Sequence, residues 1–199
     1  MRRRGFLPVS FAIAGLLALT GAASAAPAQS SMADCVVDGV MDRLAENIDL
    51  HWHEGEYCHI VNISRVIVTA QPYRKTIYAD AAWLLWSMNR DPEAVALLKL
   101  GLKNNPNTYY MYDELANYYR IRKKDYATAL IYFQQAARFK DCAAETIHGL
   151  AGCYEKTNQP RKALAAWKRA ATMPEGQAIA IAKVKRLEQE LKITPGKEQ

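Results

Sequence analysis

Histidine, cysteine and glutamate, the residue types that bind zinc and copper in proteins, cluster over one short segment of this chain. The segment reads His-Trp-His-Glu at 51–54 and Cys-His at 58–59. His51 and His53 are two residues apart, so on a helix they face different directions, and neither an H-E-x-x-H nor a C-x-x-C pair is present. We therefore expect a polar helix end rather than a metal centre. The candidate ligands, should a metal bind, are His51, His53, Cys58 and His59.

The remaining residues show no motif of enzyme chemistry. The ten glycines form neither a phosphate loop nor a dinucleotide-binding turn, and no G-x-S-x-G elbow occurs. No spacing of serine, histidine and aspartate favours a catalytic triad. We therefore expect a protein that is not an enzyme and that requires no cofactor.

The first 26 residues have the pattern of an export signal. Arginines at 2–4 precede an apolar run from Val9 to Leu19, and small residues follow as far as Ala26. The run of about eleven residues is short of the roughly 20 that a membrane-spanning helix needs, and no later run approaches that length. Residues 3–7 also resemble the twin-arginine motif, so the export route stays open. We expect a periplasmic or extracellular protein without an integral membrane span.

Removal of the signal would lower the positive charge of the chain. The signal contains three of the 26 basic residues and none of the 20 acidic ones, so the formal net charge falls from +6 to +3. A charge of this size serves solubility and gives weak support for phosphate binding. We expect no nucleic-acid partner.

From Tyr78 onward, small and apolar residues recur every 34 or 35 positions. Within each unit two sets run at i, i+4, i+7, the spacing of one helix face, so each unit is predicted to be a pair of helices. One extra residue lies between Tyr119 and Ala129, where we expect the polar turn at 122–125 to accept it. The recurring residues are Tyr78, Tyr112 and Ile147; Ala82, Ala116 and Ala151; Leu85, Tyr119 and Tyr154; Ala94, Ala129 and Ala163; Leu98, Phe133 and Trp167; and Gly101, Ala136 and Ala170.

These units resemble the tetratricopeptide repeat (TPR) family. The two-helix pattern of that family is matched by Leu115-Ala116-x-x-Tyr119 with Ala129-x-x-x-Phe133-x-x-Ala136, and again by Leu150-Ala151-x-x-Tyr154 with the helix that follows. The resemblance implies an all-α, right-handed solenoid of helical hairpins. The expected divisions are a tether and start of helix at 27–40, a degenerate repeat at 41–74, repeats at 75–108, 109–143 and 144–177, and a capping helix and tail at 178–199.

The capping helix is predicted to cover the open end of the last repeat, because an uncovered end would expose core. Its expected apolar face consists of Ala178, Ile181, Val184, Leu187 and Leu191.

The resemblance also implies that the first helices of successive units line a concave groove. Large aromatic side chains there would supply binding area, although the same tryptophans could instead be core residues. The expected groove residues are Trp52, Trp83, Trp86, Asp113, Asn117, Arg120 and His148.

The sequence thus favours an exported, non-enzymatic scaffold that holds a protein or peptide partner in this groove. Two alternatives stay open. The first is a metal or cofactor carrier that uses the cluster at 51–59. The second is a cell-wall or carbohydrate binder, since tryptophan and tyrosine faces also stack on sugars.

Overall fold

The computed structural model describes residues 31–191, and within that range all regular secondary structure is helical. The expected signal peptide at 1–26, the first residues of the tether and the tail after 191 lie outside the described residues. Among the described helices, none combines the length and apolar character that a bilayer span requires. The helices are α1 Met32–Glu54, α2 Tyr57–Ala70, α3 Lys75–Ser87, α4 Asp91–Asn104, α5 Tyr109–Asn117, a π-helical turn Tyr118–Lys123, α6 Tyr126–Ala136, α7 Ala144–Lys156, α8 Pro160–Ala171 and α9 Gln177–Glu190.

Consecutive helices from α1 to α8 pair into four hairpins. In each hairpin the connection between the two helices contains a residue with left-handed backbone conformation. These residues are Gly55, Asn89, Lys124 and Asn158, with φ of 73°, 61°, 56° and 55°. Glycine and asparagine tolerate this conformation best, and one such residue ends a helix without a long loop. The loosely matching first segment, α1 with α2, therefore turns in the same way as the three clear repeats. An all-α helical-hairpin fold is confirmed.

Small residues bring the two helices of each hairpin close together. Ala94, Ala129 and Ala163 are fully buried, each at the same place in its repeat. Between the third and fourth hairpins the approach is closer still, because a Cβ added at Gly149 of α7 would lie 2.4 Å from the ring of Phe133 of α6. Aromatic rings link the core clusters of neighbouring hairpins, because Tyr119 and Tyr132 pack against two clusters and Tyr154 against two as well.

The sequence led us to expect that the polar turn at 122–125 accepts the extra residue of the repeat at 109–143. The structure accommodates this residue in a helix instead. Residues Tyr118–Lys123 form a π-helical turn, which holds more residues per turn than an α-helix. It closes with the Asp125 N–H donating to the Tyr119 carbonyl oxygen at 3.0 Å. The connection to α6 can therefore stay as short as in the other hairpins.

Helix α9 packs on the last hairpin, but its contact face differs from the expected one. Ala180 and Leu187 are buried there, with Val184 and Leu191 partly buried beside them. Ile181 is 41% exposed and Ala178 is exposed as well. Ile181 lies about 100° around the helix from Ala180, so the two cannot share one narrow contact stripe. Arg186 also bonds to Glu155 of α7, which fixes the helix from its polar side.

Helix α1 begins at Met32, inside the segment 27–40 to which the sequence assigned a tether and the start of a helix. Ser31 and Asp34 form a reciprocal capping box, in which the Asp34 N–H donates to Ser31 Oγ at 3.1 Å and the Ser31 N–H donates to Asp34 Oδ2 at 2.9 Å. This cap fixes the position at which the helix starts.

Candidate binding groove

The first helix of every hairpin contributes side chains to one surface, which we call the groove: the outward-facing residues of α1, α3, α5 with its π turn, and α7. Its end nearest the N-terminus is aromatic. Trp52 and Trp83 stack with ring centroids 5.9 Å apart, and Tyr57 meets Trp52 edge-on at 5.7 Å. The two tryptophans are 42% and 49% exposed. Together they form an apolar platform that is partly open to solvent, and a contiguous exposed patch of this kind is typical of a binding surface.

Trp86 does not share this platform, although the sequence placed both Trp83 and Trp86 among the expected groove residues. It is partly buried against the core and stacks on Tyr118 at 5.4 Å. Tyr118 continues into edge-on contact with Tyr119, which stacks on Tyr132 at 5.6 Å. The ring of Trp86 therefore starts an aromatic series that enters the core, and a role as ligand anchor stays a prediction for it.

Three carboxyl groups lie in the middle of the groove, on α3 and α5. Burial raises the pKa of Asp80, of Asp113 and of Glu114, the last to about 7. The negative charge of Asp113 adds to the rise at Glu114. Asp80 is accessible to water by area, yet enough protein surrounds its carboxyl group to raise its pKa. That combination is typical of the floor of a concave surface.

Asp113, Asn117 and Arg120 are joined by hydrogen bonds along one face of α5 and its π turn. Asn117 Nδ2 donates to Asp113 Oδ2 at 2.8 Å, and Arg120 Nη2 donates to Asn117 Oδ1 at 2.7 Å. Arg120 Nε also donates to Asn117 Oδ1, at 3.2 Å, so the guanidinium is held by the amide while its side chain lines the next part of the groove. The sequence placed all three residues here, and the structure brings them together.

The far end of the groove is a basic pocket of about 430 Å³ between the π turn and α7. Arg120, Lys124 and Lys156 line it together with Glu145 and His148. The His148 ring packs on Trp167 with ring centroids 5.3 Å apart. Its Cε1 lies only 2.1 Å from the point that a Cβ on Gly176 would occupy. The imidazole is thus fixed from behind by α8 and the turn before α9.

Sequence reasoning did not select Lys124 or Lys156 as groove residues. Asp80 and Glu114, by contrast, occupy equivalent repeat positions 34 residues apart, and that spacing places both on the groove face. The two lysines gave no such signal, since Lys124 belongs to a hairpin turn and reaches the groove through the π turn before it.

The histidine and cysteine cluster divides in the structure. His51, Glu56 and His59 bring their ligand atoms within 4.8 Å of one another, whereas His53 and Cys58 stay outside this group. His53 Nε2 lies 3.7 Å from Asp49, and Cys58 adjoins Arg90. Hydrogen bonds from the rings of His51 and His59 lower the pKa of Glu56. Glu56 was absent from the ligands that the sequence suggested.

The remaining cysteines on α7 and before it behave as buried side chains. Cys142 and Cys153 are both buried, and burial raises the pKa of the Cys153 thiol to about 11. A thiol held neutral in this way is a small apolar core residue.

Comparison with known proteins places the fold. No protein-family model matches the chain, and no curated protein matches its sequence. The solved structure of MamA superposes with a TM-score of 0.61 at 13% identity, covering 77% of this chain and 83% of that one. PilW, a type IV pilus biogenesis factor, gives 0.60 at 13% identity over 77% and 71% of the two chains. YrrB, a TPR protein with an unusual peptide-binding site, gives 0.57 at 13% identity over 83% and 86%. The chain has the helical-hairpin solenoid fold of TPR proteins.

Proposed function

We propose that this protein is an exported, non-enzymatic scaffold that holds an extended segment of a partner protein in the groove. One observation carries the proposal: Trp83 of the exposed platform stands one turn of α3 from Asp80, the first of three groove carboxyl groups whose pKa burial raises. Among the described residues, no lysine or arginine forms an ion pair with Asp80, Asp113 or Glu114. Export is supported by the charged, apolar and small-residue pattern of the first 26 residues.

The chemistry of the groove favours a segment that combines an apolar side chain with a basic one. The tryptophan platform offers contact area at little entropy cost, because the rings already stack on each other. A lysine or arginine of the partner would pair with Glu114 and Asp80 and recover the solvation that these carboxyl groups have lost. The basic pocket around Arg120 and Lys156 would receive an acidic group further along the same segment.

The solved structures with this fold agree with a binding role. YrrB is a TPR protein with a peptide-binding site, and PilW is a pilus biogenesis factor, so solenoids of this shape occur in recognition and assembly. A solenoid also presents extended surfaces more readily than closed reaction pockets.

The proposal is tested by selection from a randomised peptide library displayed on phage, followed by binding measurements on single peptides. We expect enriched peptides to contain lysine or arginine near an aromatic or large apolar residue. Trp83→Ala should weaken their capture about thirtyfold, or roughly 2 kcal/mol, while the melting temperature stays close to that of the wild type. Peptides without basic residues, or equal capture by Trp83→Ala, would contradict the proposal. Retention on polysaccharide instead of peptide would favour the carbohydrate alternative.

Trp86→Ala is the matched contrast, since it removes the same ring from the same helix. Because Trp86 packs against the core, this change should cost roughly 3 to 5 kcal/mol of stability. Any loss of binding would then follow the loss of fold. If Trp86→Ala melted like the wild type and lost only binding, Trp86 would be a ligand anchor after all.

A further inference from the structure

Three side chains with metal-ligand chemistry converge at the turn between α1 and α2. Glu56 Oε2 lies 2.6 Å from His51 Nδ1 and 3.2 Å from His59 Nδ1. The two imidazole rings stand nearly perpendicular, with centroids 5.3 Å apart. Both rings therefore present the same nitrogen, Nδ1, to one point.

The backbone holds these three residues in place. The Glu56 N–H donates to the His51 carbonyl oxygen at 2.9 Å, and the His59 N–H donates to the Glu56 carbonyl oxygen at 2.9 Å. Gly55 supplies the left-handed turn between them, with φ of 73°. Because each ligand residue is tied to the next by a backbone hydrogen bond, little ordering is needed when an ion binds.

The distances suit a first-row divalent ion. Zinc binds imidazole nitrogen and carboxylate oxygen at about 2.0 to 2.2 Å, so tetrahedral ligand atoms stand about 3.3 Å apart. All three ligand atoms already lie within 4.8 Å of one another. Small side-chain rotations, with the Nδ1 proton of each imidazole transferred through solvent to its Nε2, would replace the two hydrogen bonds at Glu56 with bonds to the ion.

We propose that His51 Nδ1, Glu56 Oε2 and His59 Nδ1 bind one zinc ion. Two histidines and one glutamate form a donor set known from zinc sites that keep a fourth position open. The side chain of His51 is 23% exposed and that of His59 is 58% exposed, so the fourth position faces solvent on the His59 side. The ion cross-links α1 to α2 beside Trp52, at the N-terminal end of the solenoid.

The proposal is tested by calorimetric titration of zinc chloride into the purified protein after chelator treatment and removal of the chelator. We expect one zinc ion per chain. His51→Ala and His59→Ala should each weaken zinc binding at least tenfold. His53→Ala is the matched control, because His53 belongs to the same segment but points to Asp49. It should leave zinc affinity within threefold of the wild type.

Glu56→Gln provides a second variant that keeps the size of the side chain and removes its charge. It should also weaken zinc binding at least tenfold, with the metal-free circular dichroism spectrum unchanged. This variant decides the question if an alanine variant fails to fold. Unchanged zinc affinity in Glu56→Gln, or an equal loss in His53→Ala, would overturn the assignment.

Cobalt(II) substitution then identifies the donor atoms. We expect visible bands of a nitrogen- and oxygen-ligated ion that are equal in the wild type and in Cys58→Ser. A strong near-ultraviolet thiolate band that disappears in Cys58→Ser would overturn the three-ligand site, because it would place sulfur on the ion.

Discussion

Glu114 offers the sharpest test of the groove electrostatics, because its protonation should appear in the stability of the whole protein. Burial and the nearby Asp113 raise the pKa of Glu114 from 4.5 to about 7 in the folded state. Between these two pH values the folded protein binds more protons than the unfolded chain, so stability falls as pH rises through the window. At 1.36 kcal/mol per pH unit, the full effect is about 3 kcal/mol.

Glu114→Gln removes the charge and keeps the shape of the side chain. We expect the variant to match the wild type near pH 4, below the unfolded pKa, and to exceed it by up to about 3 kcal/mol near pH 8. Urea unfolding of both proteins across this range measures the difference, and the contributions of other titrating groups largely cancel in it. A difference that is constant with pH, or a variant that is less stable at every pH, would refute the reasoning.

Glu93→Gln is the control of opposite sign for that experiment. Arg90 and Arg65 lower the pKa of Glu93 to about 2, so its ion pairs stabilise the protein above pH 4.5 and lose effect as pH falls. This variant should therefore be less stable than the wild type at neutral pH and should approach it in acid. If Glu93→Gln were more stable than the wild type at neutral pH, the opposite pKa shifts described for Glu93 and Glu114 would be wrong.

Two further predictions concern the packing of the repeats. Ala129→Leu should lower the free energy of unfolding by about 1 to 3 kcal/mol, because Ala129 is fully enclosed between helices. An unchanged melting temperature would mean that the helices are packed less closely at this position than described. Removal of residues 177–199 should lower the solubility and the melting temperature of the protein, because Ala180 and Leu187 of α9 cover Trp167 and its neighbours. A soluble truncated protein of equal stability would exclude a capping role for α9.

Most of the fold could be predicted because repetition makes each element appear several times in the sequence. Ala116 and Ala151 are uninformative alone, but together with Ala82 they define a helix contact in three places. The π turn could not be predicted, since one extra residue can lengthen either a turn or a helix. Hydrogen bonding decides between them, and here the helix retains its bonds through the Asp125 N–H.

The candidate site was less predictable, because side chains choose among partners that repeat spacing does not reveal. The sequence places both Trp83 and Trp86 among the expected groove residues. Tyr118, however, supplies a stacking surface for Trp86 and not for Trp83. Glu56 likewise depends on the hairpin turn, which brings His51 and His59 to it from different helices. Repeat spacing predicts which helix face a residue occupies. The contacts of its side chain with neighbouring residues determine whether that side chain stays available to a ligand.

The features that oppose stability in this protein concentrate on the first helices of the hairpins. Carboxyl groups with raised pKa lie on α3 and α5, the exposed tryptophans lie on α1 and α3, and the π turn directly follows α5. Local choices that disagree with the best packing persist mainly where a function requires them. A basic partner segment would also lower the pKa of Glu114 as it binds, so binding near neutral pH should release protons. The same carboxyl group that weakens the free protein would then strengthen the complex, and this links the stability of the solenoid to occupation of its groove.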